Sequence, residues 1–140
     1  MHQIIENYEK SNNFGRHFGM KLKVIRLGEV EYTMKVGEEL QAVPGVAHGG
    51  VLAGLIDGTL GVAGLSQVAH KNQVVSTVEF KVNYLKPTKI GDVIRCNAKV
   101  INEGKSLIHI YAEVYNQNEV LLATGNGTFN KYNCPETLLK

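Results

Sequence analysis

From Gly49 to about Ala69 the chain runs without a proline or a polar turn cluster, and its residues are apolar on almost every side. The stretch outlasts an ordinary strand, so helix is the expected state. A helix that is apolar nearly all round has to be covered nearly all round. The rest of the chain must therefore wrap it, and a sheet with strong right-handed twist can curl far enough to do so. The longest apolar part, Val51 to Leu65, contains Asp57 and several glycines. It is expected to be too short and too interrupted to span a bilayer.

The flanking sequence supplies that sheet. Val78, Phe80, Val82 and Tyr84 alternate with Thr77, Glu79, Lys81 and Asn83, and Ile108, Ile110, Ala112 and Val114 repeat the pattern. The alternation marks half-buried strands. Strands are predicted over Val74–Leu85, Asp92–Asn102, Leu107–Asn116 and Glu119–Lys131, with turns at Gly104-Lys105 and Asn116–Asn118. Two earlier strands, Met20–Leu27 and Val30–Val36, flank a turn at Gly28-Glu29, and Gln41–His48 reads as loop around Pro44-Gly45. A short polar helix over about Ile4–Asn12 is ended by Asn12-Asn13 and Gly15. The expectation is a single α+β domain covering residues 1–140.

At 140 residues a domain can bury a working core without disulfides or metal. A formal charge of +2, with Lys and Arg scattered, gives no footprint for nucleic acid or a membrane surface. Cys96 and Cys134 form no CxxC or Cys/His cluster, so no metal site is expected and reduced thiols in a cytoplasmic protein account for them. The N-terminal MHQIIENYEK is mixed and acidic, unlike a signal peptide.

Two features of the apolar helix point beyond structure. Gly50, Gly54, Gly58, Gly61 and Gly64 share one stripe. Each interior glycine costs about 0.5–1 kcal/mol relative to alanine, so close packing or close approach of a ligand or partner subunit must offset it. Asp57 lies between apolar turns whose neighbours, Ala53, Gly54, Leu60 and Gly61, cannot neutralise it. Such a carboxylate reaches solvent, finds a donor, or lines a site as nucleophile or general base. His48-Gly49-Gly50 opens the helix with free N–H groups at the positive end of its dipole, where a developing oxyanion is stabilised.

Gly45-Val46-Ala47-His48-Gly49-Gly50, followed by Asp57 nine residues after the His, resembles the motif of the PaaI-type thioesterases of the hot-dog superfamily. The similarity continues through Tyr84-Leu85-Lys86-Pro87, Gly91-Asp92, Gly104-Lys105 and Ala123-Thr124-Gly125 to Phe129. It implies a hot-dog fold and hydrolysis of acyl-CoA thioesters, without cofactor, at sites shared between subunits of a homodimer or homotetramer. By the same resemblance the Gly49 amide polarises the thioester carbonyl and Asp57 of the opposite subunit attacks it or activates water. His48 shapes the turn, and Thr77 assists the water. Strand alternation, by contrast, sends Thr77 to the face opposite Val78 and Phe80, towards solvent. The family pattern places an Asn where this chain has Ala42, with Gln41 beside it as a substitute. Gly50 is expected to let substrate approach the backbone. CoA phosphates need a cation at a strand end, from Arg95, Lys86, Lys89 or Lys105, with Lys105 favoured. The rival readings are a catalytically silent acyl-CoA sensor and a hot-dog hydratase. The hydratase is disfavoured because no Asp precedes His48.

Overall fold

The computed structural model describes residues 1–139. Two short helices, α1 (Gln3–Ser11) and α2 (Asn13–His17), lead into strands β1 (Lys21–Arg26) and β2 (Glu29–Lys35). A small hairpin, β3 (Gln41–Val43) and β4 (Val46–Ala47), precedes the long helix α3 (Gly49–Val68), which ends in a 3-10 turn, Ala69–Lys71. Strands β5 (Gln73–Tyr84), β6 (Val93–Glu103), β7 (Leu107–Tyr115) and β8 (Leu121–Asn133) follow, then a last turn of helix, α4 (Glu136–Leu139). Six strands form one antiparallel sheet in the order β1-β2-β6-β7-β8-β5.

The sheet wraps α3 as its composition demands. Leu55, Ile56, Leu60, Val62 and Ala63 are almost wholly buried, and they meet an inner sheet face built from Tyr32, Ile94, Ile108, Ile110, Ala112 and Val114. Strand β8 turns glycines towards the helix, so the backbone itself can lie against it. A Cβ on Gly125 would stand 2.6 Å from Ile56 Cγ2. Together with its 3-10 turn, α3 is in fact long and apolar enough to cross a membrane, contrary to the expectation from sequence, but most of it is buried inside the domain. Asp57 and the glycines interrupt its hydropathy without shortening the helix.

Three departures from the sequence expectation bear on function. Asn12-Asn13 does not end the helical region. Asn12 closes α1 and caps α2, its Oδ1 accepting from the Gly15 N–H at 3.0 Å. The predicted loop before α3 is a braced hairpin, with Gly45 at φ +80° in its turn and the Gly45 N–H donating to Gln41 Oε1 at 2.8 Å.

The third departure is a bulge. The register of β5 against β8 shifts between Thr77 and Glu79, which leaves Val78 unpaired and 58% exposed. Strict alternation would put Val78, Phe80, Val82 and Tyr84 on one face. The extra residue resets the phase instead. Val75 and Thr77 face α3 before the bulge, and Phe80 packs towards the helix after it.

Candidate active site

Asp57 sits on the partly exposed stripe of α3, half-buried, with Thr77 Oγ1 donating to its Oδ1 at 2.8 Å. The bulge makes this contact possible: Thr77 is exposed, as expected, but lies on the same face as Phe80 and bonds Asp57 instead of facing the opposite way. Two clefts meet at Asp57. One, of about 250 Å³, runs along the C-terminal half of α3 past Gly61, Val75 and Phe129. The other, of about 390 Å³, lies between the N-terminal helices and Ala53, Gly54 and Phe80. Tyr8 of α1 borders both clefts. Burial raises its phenol above the ordinary range, and the charges of Glu9 and Asp57 push it further. Nothing in the sequence marked Tyr8 as a site residue, because only the docking of α1 brings it there.

The second centre is the start of α3. His48 is the N-cap, and its Nδ1 accepts from the Gly50 N–H at 2.8 Å. This bond fixes the ring and engages the Gly50 N–H. The Gly49 N–H has no partner among the described residues and is exposed at the positive end of the helix. The Tyr84 hydroxyl donates to the Gly49 carbonyl at 2.7 Å, pinning this turn to the end of β5. A cleft of about 320 Å³ opens here, bordered by His48, Gly49, Leu52, Tyr84, Lys86 and Thr88.

Of the four candidate phosphate cations, Lys86 borders this cleft. Lys105 does not, since its turn joins β6 to β7 at the end of the sheet where Gln73 pairs with Asn133. Gly49 lies at the opposite end, beside Tyr84, which pairs with Ala123. Arg95 is engaged by both carboxylate oxygens of Glu119, each at 2.8 Å. Gln41, the expected substitute for the missing Asn, has its amide oxygen accepting from the Gly45 N–H in the hairpin turn. Among the described residues no three His, Cys, Asp or Glu side chains gather to hold a metal ion.

A central helix wrapped by a curved six-stranded antiparallel sheet, with a carboxylate on its open stripe and a free amide at its start, defines a hot-dog protein of the thioesterase kind. Residues 44–123, more than half of the chain, match the thioesterase superfamily. Human acyl-coenzyme A thioesterase 13 is 30% identical over 131 residues, covering 91% of each chain. Among solved structures, the Escherichia coli PaaI protein from the phenylacetic acid degradation operon superposes with a TM-score of 0.85 at 21% identity, covering 94% of this chain and 95% of that one. A conserved protein of Pseudomonas aeruginosa gives 0.80 at 30% identity, over 86% and 94%. The chain belongs to the thioesterase superfamily.

Proposed function

We propose that the protein hydrolyses acyl-CoA thioesters to a carboxylic acid and free CoA, at sites each completed by two copies of the chain. One observation carries the shared site. Gly49 and Asp57 lie eight residues apart on one straight helix, about 12 Å along its axis at ~1.5 Å per residue. A carbonyl under attack must sit within about 3–3.5 Å of the attacking group. That spacing favours a site in which Gly49 of one copy and Asp57 of another meet at the same carbonyl. Further support comes from the free outer edge of β5, a twelve-residue edge strand. A symmetric pairing uses each surface twice and yields two equivalent sites.

In this arrangement the Gly49 N–H and the helix dipole draw charge onto the carbonyl oxygen. Asp57 takes a proton from water as the C–O bond forms, and Thr77 holds the Oδ1 oxygen so that Oδ2 faces the water. Collapse of the tetrahedral intermediate breaks the C–S bond, and the departing sulfur receives the proton from Asp57. Lys86 is placed to meet phosphate at the mouth of the Gly49 cleft. The unpaired thiols of Cys96 and Cys134 suit a reducing compartment such as the cytoplasm.

The decisive test is Asp57→Asn, assayed by thiol release from a panel of aliphatic and aromatic acyl-CoAs. Turnover is expected to fall by ~10²–10⁴-fold or more. The melting temperature should hold or rise, since a neutral amide is easier to bury than a carboxylate. Near-normal hydrolysis by the variant rejects the mechanism.

A further inference from the structure

Four of the five stripe glycines have close neighbours within the chain. A Cβ would stand 2.9 Å from His48 Nδ1 at Gly50, 2.7 Å from Phe14 Cζ at Gly54, 3.2 Å from Met20 Cε at Gly58 and 3.0 Å from Ile110 Cδ1 at Gly64. Gly61 is different. Its added Cβ would meet only Phe129 Cε2, at 3.5 Å, an ordinary contact. An alanine fits there and favours the helix, so packing gives no reason for glycine at this position.

Gly61 borders the smaller of the two clefts that meet at Asp57. That cleft starts at the bonded pair Asp57–Thr77 and continues between Val62, Leu65, Val75 and Phe129, with Leu138 of α4 also on its wall. In the larger cleft the lining glycines are approached by side chains, Gly54 by Phe14 and Gly58 by Met20. We infer that the cleft along Gly61 receives the acyl group, and that the bare backbone at Gly61 sets the length of chain it accepts. This assignment rests on the thioesterase reading above. The acyl carbon attacked at Asp57 must carry its substituent away from the carboxylate, and the apolar walls begin there. The cleft measures about 250 Å³. It holds an aliphatic acyl group of medium length or a single aromatic ring.

The test compares wild type, Gly61→Ala and Gly61→Val, as full chains, on acetyl-, butanoyl- and octanoyl-CoA. The ratio of kcat/KM for octanoyl- over acetyl-CoA is expected to fall about tenfold in Gly61→Ala and further in Gly61→Val. The Gly61→Ala melting temperature should rise by a few degrees. An unchanged ratio in Gly61→Ala overturns the assignment, even if Gly61→Val fails to fold. Calorimetry with CoA and its octyl thioether separates this inference from the activity itself. If wild type releases no thiol yet Gly61→Ala loses affinity for the thioether and not for CoA, the subsite stands and the hydrolase reading falls. Equal losses for both ligands reject the subsite.

Discussion

Asp57, His48 and Gly49 were legible in the sequence because each breaks a local rule: a carboxylate among apolar turns, and bare glycines behind an N-cap. Thr77 was not legible by alternation, since the contact that gives it a role depends on a phase shift in its own strand. Its hydroxyl bonds a carboxylate, a hydrogen bond that typically contributes about 1.5–3 kcal/mol. Thr77→Ala is therefore expected to lower kcat roughly ten- to hundredfold. Thr77→Ser should restore most of it, an outcome that a purely structural threonine would not give. Lys86 was one of four candidate cations on paper, with Lys105 favoured over it; the fold singles out Lys86 by bringing the end of β5 against the start of α3. Lys86→Ala should raise KM for acyl-CoA severalfold while sparing an acyl thioester that lacks the nucleotide. Equal effects on the two substrates would remove Lys86 from the phosphate.

At the level of elements, the six strands and the central helix follow from period and punctuation, and their observed limits fall within two residues of those expected. What periodicity cannot show is where a strand skips a beat. The β5 bulge puts Thr77 and Phe80 on the same face although they are three residues apart. Removing Val78 would give a continuous ladder in which Thr77 and Phe80 still share the face towards α3, with Glu79 outward between them. The deletion is therefore expected to keep the Thr77–Asp57 contact and most of the activity, read by thiol release and melting temperature, and Val78→Thr, which keeps the bulge, should do the same. The helix offers a contrast. Gly64→Ala drives a methyl against Ile110 and Val75 and should destabilise the fold by roughly 1–3 kcal/mol, measured by denaturant unfolding. The same change at Gly61 is expected to stabilise it.

For the molecule as a whole, the sheet is clamped to the end of α3 by Glu103. Its carboxylate accepts from Lys131 and Lys71, each at 2.9 Å, and from Gln67 at 3.1 Å. The bonds from Lys131 and then Lys71 lower its pKa to about 2. A carboxyl held below its unfolded value of about 4.5 stabilises the native state above that pH, and the contribution is lost as pH falls towards 2. Glu103→Gln should therefore cost roughly 1–3 kcal/mol near neutrality, because the largely buried Lys131 loses its partner. The difference from wild type should close in unfolding curves taken between pH 4.5 and 2. Light scattering at micromolar concentration tests the shared site, and a monomer alone would rule it out. The wrapping of α3 also has a history in time. All four strands β5–β8 follow the helix in the chain, so residues 69–133 must be synthesised before the cover is complete. At ~5–20 residues per second that interval lasts about 3–13 s. Throughout it, the nascent chain exposes a segment apolar enough to pass for a membrane span. Ribosome-bound chains stalled after Tyr84 should accordingly recruit apolar-segment chaperones, and chains released with β8 finished should not.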